Sequence, residues 1–136
     1  MSKYLNIYIE AGKRVSPLLL TYYSVFDDVY ETITNVADVT QDNKGEAYTT
    51  LRTEDVREAR DLLAIEVEDI AKNIAKTREH LAHCLYNDGR EAFAGQIEVL
   101  KDARLIKSKA LEEVNHLLRL AEWLDESDTH LVANIS

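Results

Sequence analysis

Between Thr53 and Glu126 the chain reads as helix with one interruption, the triplet Asn87-Asp88-Gly89. Val56, Leu63, Val67, Ile70, Ile74, Leu81 and Cys84 recur at alternating spacings of three and four. That is nearly a coiled-coil seam, with Arg60 and Thr77 as its polar members. The spacing predicts a helix over 53–86, opened by Thr53 as N-cap with Glu54 and Asp55 in the first turn, where the dipole favours acids. Gly89 is expected to end it in a left-handed conformation. A second helix follows over about 90–126. Val99, Ala103, Ile106, Ala110, Leu117, Leu120 and Leu124 form its stripe, Glu113 intrudes, and Leu111, Val114, Leu118 and Ala121 add a second apolar edge.

Two helices joined by so short a link must lie antiparallel. Arg60 and Glu113 then stand about one turn from opposite each other, and a structural ion pair between them is expected to fix the register. Lys101, Arg104, Lys107 and Lys109 fall roughly opposite Glu66, Glu68 and Asp69, which suits the same pairing. Each helix is about 50 to 55 Å long. A compact globule of this chain length is only about 35 to 40 Å across. The remaining residues join the hairpin at its base and cannot reach its far end. That end carries Leu85, Tyr86, Phe93, Ile97 and Leu100, which are the expected partner-binding residues unless Gly95 kinks the tip back.

The first 51 residues read as a small α+β base. In "KYLNIYIE", Leu5, Ile7 and Ile9 alternate with Tyr4, Asn6 and Tyr8, predicting a strand. Ser16-Pro17 reads as N-cap and first helical residue, followed by Leu19, Tyr22, Phe26, Val29, Ile33 and Val36 as the stripe of a helix over about 17–35. "VADVTQDNKGEAYTTL" reads as a β-hairpin over 36–51 turning at Asp42-Asn43-Lys44-Gly45. Residues 128–136 are expected as a tail, or as an edge strand beside the first strand. The tyrosines Tyr22, Tyr23 and Tyr30 are expected to pack on the hairpin. The fold class expected is therefore mainly α, an α+β single domain over 1–136: base 1–51, hairpin 53–127, tail 128–136.

Charge narrows the function classes. The chain carries 16 basic and 25 acidic residues, a net charge of −9. Direct nonspecific nucleic-acid binding needs a basic footprint and is not expected. The acidic first turns, Glu54, Asp55, Glu58 and Asp61, form a second candidate partner surface. No run approaches the ~20 apolar residues of a membrane span. One cysteine, Cys84, cannot form an intrachain disulfide, so a cytoplasmic location is expected.

Candidate chemistry clusters in "TREHLAHCLYNDGREAF". His80 and Cys84 share a helix face, but zinc needs three or four ligands, and residues 93–97 opposite offer none. Glu113-Val114-Asn115-His116 matches one Glu-x-x-His element of di-iron bundles, which require two such elements and two further glutamates. No metal or cofactor is therefore expected. Arg78-Glu79-His80-Leu81-Ala82-His83 resembles the Arg-x4-His signature of the HEPN ribonucleases, small all-helical domains that dimerise and bring two such motifs together. The resemblance implies proton transfer by His83 and phosphate binding by Arg78. No Gly-rich phosphate loop, nucleophile elbow or Cys-x-x-Cys accompanies it. The reading that absorbs most of the sequence is a non-catalytic acidic protein-binding module: an adaptor, regulator or small inhibitor of a larger intracellular complex. It is expected to bind a protein partner or itself as a homodimer. The alternative is an HEPN-like ribonuclease or a metal-dependent helical enzyme.

Overall fold

The structure is a computed structural model that describes residues 3–24, 27–39, 41 and 47–136. It is an α+β protein in which a long helical hairpin and a shorter helix cover one face of an antiparallel sheet. The elements are β1 (Tyr4–Ala11), β2 (Arg14–Val15), β3 (Leu20–Tyr23), α1 (Asp28–Ala37), β4 (Thr49–Leu51), α2 (Thr53–His83), α3 (Asn87–Asp125) and β5 (Thr129–Ile135).

The alternation in β1 puts Leu5 and Ile7 in the core while Asn6 and Tyr8 face outward. β1 turns at Gly12, whose φ of +64° suits the first central position of a two-residue hairpin turn. The returning chain forms one interrupted edge: β2 pairs with Glu10 and Ala11, and β3 pairs with Tyr4 to Ile7. Between them the register slips by two residues around Pro17, which has no amide hydrogen for the ladder. On the other side β5 pairs with β1 from Leu5↔Ile135 to Ala11↔Thr129, and β4 pairs with β5.

Leu5, Ile7, Leu51, Leu131, Ala133 and Ile135 from the sheet pack on Val29 and Ile33 of α1, Val56 to Leu63 of α2, and Ala110 to Leu124 of α3. Full burial of each large side chain contributes roughly 1.5 to 3 kcal/mol.

The helical hairpin and the N-terminal strand are present as the sequence predicts, but the stripe expected on the second helix is corrected in its first half, where Val99 and Ile106 are exposed and Ile97 is buried. Other expectations are corrected too. No helix starts at Ser16-Pro17: residues 20–23 form β3, and α1 begins at Asp28. Asp27 is its N-cap, accepting from the Val29 and Tyr30 amides at 2.9 and 3.4 Å. The β-rich Thr-Tyr-Tyr segment gains a ladder on β1 that an isolated helix could not offer. Residues 36 and 37 end α1 instead of starting a hairpin, and Asp38 closes the helix in the left-handed region at φ 51°. The second arm is a strand, β4, but it pairs with β5. The expected turn at Asp42–Gly45 lies outside the described residues. The C-terminal segment is a strand that pairs with the first strand, as one of the two readings expected, but it is interior, between β1 and β4, and not an edge.

The bend also moves. α2 ends at His83, the link is Cys84-Leu85-Tyr86, and Asn87-Asp88-Gly89 becomes the first turn of α3. Thr53 is the first helical residue of α2, preceded by Arg52 as N-cap. Its hydroxyl donates to Asp125 at the base of α3, while Asp55 reaches back to accept from the Arg52 amide at 3.3 Å. Gly95 produces no break, since α3 runs uninterrupted for 39 residues.

Candidate interaction surfaces

The hairpin tip is built from both helices. The Arg90 guanidinium donates to the carbonyls of Leu81 and Cys84 at 3.4 and 3.3 Å, the former a second donor to a carbonyl that already accepts from the Cys84 amide. Gly89 lets the start of α3 close on Cys84: a Cβ at this position would stand 2.7 Å from the Cys84 Sγ. His80 stacks on Phe93 with ring centroids 5.7 Å apart. Thr77 is buried in the seam and its hydroxyl donates to the Asn73 carbonyl at 2.8 Å. With the backbone clamped in this way, the bend projects Leu85 and Tyr86, which are 90% and 79% exposed.

The other expected tip residues divide. Phe93 and Leu100 are half-buried and Ile97 is buried, so these three hold the helices together. The apolar core shared with the sheet stops at Leu63 on α2 and Ala110 on α3. Beyond that level the seam rests chiefly on Ile74 and Ile97. On the acidic surface, Glu54 and Glu58 are exposed, Asp55 serves the start of α2, and Asp61 binds Arg60 at 2.8 Å.

Arg60 and Glu113 do not meet. Arg60 turns to its neighbour Asp61, while Glu113 accepts from the Tyr22 hydroxyl at 3.2 Å. Lys107, half-buried, takes over the bridging role: its Nζ lies 2.7 Å from Glu66 of α2 and 3.0 Å from Asp28 of α1. Burial alone would lower the Lys107 pKa, but its bonds to Glu66 and Asp28 outweigh that and hold it above the usual lysine range. Arg57 and Glu122 join the helices near the base at 3.5 Å.

Tyr22 and Glu113 line an open cleft of about 500 Å³ between β3, the start of α1, and α3. Leu20, Val29, Ile106 and Ala110 give it apolar walls, and Asp27, Asp28 and Lys109 are charged. Burial pushes the Tyr22 phenol well above the usual tyrosine range, and the charge and hydrogen bond of Glu113 add to the shift. Burial likewise raises the Asp27 carboxyl; the Val29 and Tyr30 amides oppose the shift, and Asp28 and Glu113 reinforce it. Sequence reasoning placed Tyr22 against the hairpin but missed Glu113 as its partner, since the contact depends on β3 being a strand.

The outer face of the sheet is the third surface. Tyr4 and Tyr23 lie with ring centroids 5.1 Å apart, and Tyr8 meets Tyr48 edge-on at 5.2 Å. Burial raises the Tyr8 phenol, with Tyr48 adding to the effect. Between the pairs, Asn6 accepts from Thr21 and donates to Asn134 and Ser136. Val132 and Asn134 are each 1% exposed on this side, and the Asn134 Nδ2 has no hydrogen-bond partner among the described residues. His130 Nε2 lies 3.0 Å from Glu10 Oε1.

Arg78 and His83 are both exposed, and the helix directs residues five apart about 140° away from each other. His83 borders a shallow cleft with His80, Cys84 and Phe93 that Arg78 does not line. Among the described residues, no group of three or more His, Cys, Asp or Glu is placed to hold a metal ion. Among them, too, no helix is long and apolar enough to cross a membrane. Comparison with known proteins finds no matching family model, no similar curated protein and no similar solved structure.

Proposed function

We propose that this chain is a non-catalytic protein-binding module, an adaptor, regulator or small inhibitor acting on a larger intracellular complex through its helical hairpin. The observation that carries this reading is the exposure of Leu85 and Tyr86 at a bend whose backbone is otherwise fixed. A large apolar residue and an aromatic held on a rigid turn can insert into a partner at little entropic cost. Tyrosine in particular is over-represented among residues that dominate binding energy. The exposed Glu54 and Glu58 at the other end of α2 supply an acidic flank that can steer a basic partner.

Leu85→Glu and Tyr86→Glu test the reading. Affinity-tagged wild-type chain should retain a reproducible set of proteins from its host's extract, and both variants should lose that set. Both should keep wild-type helicity and thermal midpoint, since the altered side chains touch little of the fold. Retention of the same proteins by both variants would remove the tip from the argument.

A further inference from the structure

We propose that the open edge of β3 docks an extended segment of a partner protein, which pairs with Thr21 as an added strand and sets a lysine or arginine in the cleft against α3. The ladder shows which backbone groups are open. Tyr4 and Ser136 exchange amide–carbonyl bonds at 2.9 and 3.0 Å, so the even residues of β1 face β5 and the odd ones face β3. Leu5 and Ile7 therefore use the backbone groups of Tyr22 and Leu20, while the N–H and C=O of Thr21, opposite Asn6, point off the sheet. Among the described residues no strand pairs with β3 on that side. Sheet edges are ordinarily blunted by charge or proline. Arg14 and Pro17 do so near β2, but Leu18, Leu19 and Leu20 follow, and they are 52, 42 and 36% exposed.

The cleft selects the occupant. Leu20 and Thr21 of the edge line its mouth, so a strand added there sends every second side chain into it. Among the described residues that line it, Val29, Ile106 and Ala110 form an apolar wall, Asp27, Asp28 and Glu113 are the carboxylates, and Lys109 is the cation. Lys107 already holds Asp28. Asp27 accepts from helix amides and Glu113 from the Tyr22 hydroxyl, and among the described residues neither forms an ion pair. A basic side chain on a long aliphatic stem suits both features, its stem on the wall and its charge toward Asp27 and Glu113. Glu31 lines the adjoining hollow and extends the acidic rim. A second copy fits poorly, since pairing two β3 edges brings two such rims together. In strand addition the backbone bonds give affinity and the pocket beside the edge gives specificity. The hairpin tip takes no part, so the proposal stands whether or not the tip binds a partner.

Selection of short peptides from a random display library on the full chain, followed by fluorescence anisotropy of those enriched, tests the proposal. Enriched sequences should share a lysine or arginine with apolar residues two positions away on either side, the inward phase of a strand. Thr21→Pro removes an amide that bonds nothing within the sheet, so circular dichroism should show the fold kept while affinity falls roughly tenfold or more. Asp27→Asn combined with Glu113→Gln keeps the helix cap and an acceptor for Tyr22 but removes both charges. It should weaken the peptide roughly tenfold, yet leave unchanged the binding of a peptide with methionine in place of its basic residue. Leu85→Glu should bind the peptides like wild type. Failure to enrich any peptide, enriched peptides that bind Thr21→Pro as tightly as wild type, affinity indifferent to the paired neutralisation, or loss of binding in Leu85→Glu would each overturn the proposal. So would a wild-type chain that self-associates and becomes monomeric in Thr21→Pro, because a second copy would then be the occupant.

Discussion

The Tyr22 hydroxyl donates to Glu113 Oε2 at 3.2 Å, tying the edge strand β3 to the middle of α3. Tyr22→Phe removes this bond without opening a cavity. The expected cost is about 1 kcal/mol, because Glu113 keeps access to water. The sign of the pH effect follows from the raised phenol: the folded state holds the proton more tightly than the unfolded chain does. Stability from this group is complete below the usual tyrosine range and is lost as pH rises through the folded value. Wild type should therefore lose stability at alkaline pH more steeply than Tyr22→Phe, as read by urea unfolding at a series of pH values.

Lys107 joins three helices, and Lys107→Met should expose the strain of leaving Asp28 and Glu66 close together without their cation. A loss of about 1 to 2 kcal/mol is expected, reduced from a fully buried pair by the partial exposure of all three groups. Adding Glu66→Gln should recover part of the loss. A double-mutant cycle by thermal or chemical unfolding measures the coupling.

The two glycines of α3 near the tip should respond in opposite directions. A Cβ at Gly95 meets nothing within 4 Å, so Gly95→Ala should stabilise the chain by about 0.5 to 1 kcal/mol through helix propensity. Gly89→Ala places its methyl against the Cys84 Sγ and should destabilise. In a Cys84→Ser background the smaller oxygen should relieve part of that clash. Guanidinium titrations of the two single variants and the double variant decide this.

Asn134 offers a test of buried polarity. Its Nδ2 has no partner among the described residues, while Asn6 keeps bonds to Thr21 and Ser136 without it. Asn134→Val should therefore change stability by less than about 1 kcal/mol, because it removes a desolvated donor along with one acceptor. Leu131→Ala, on the helix-covered face of the same strand, should cost about 2 to 5 kcal/mol. Parallel thermal melts of the two variants make the comparison.

Local periodicity determined the hairpin and β1, because the information for both lies within a few residues of each position. Leu63 and Ile74 are buried where a seam of threes and fours requires, and Leu5 and Ile7 where a period of two requires. On α3, by contrast, Ile97 takes the buried place, and Val99 and Ile106 of the expected stripe are exposed. The tertiary structure decided what depends on distant partners. Leu19, Tyr22, Val29 and Ile33 fit one helical stripe, yet the chain switches from strand to helix at Asp27, because β1 presents an unpaired edge that only residues 14–23 fill. Residues 129–135 became interior by gaining β1 on one side and β4 on the other, a placement no local pattern specifies. Glu113 shows the same limit within the candidate surfaces. Its helix face was legible, but its partner was not, since a long charged side chain on a half-exposed face takes whichever donor the neighbouring element brings within reach.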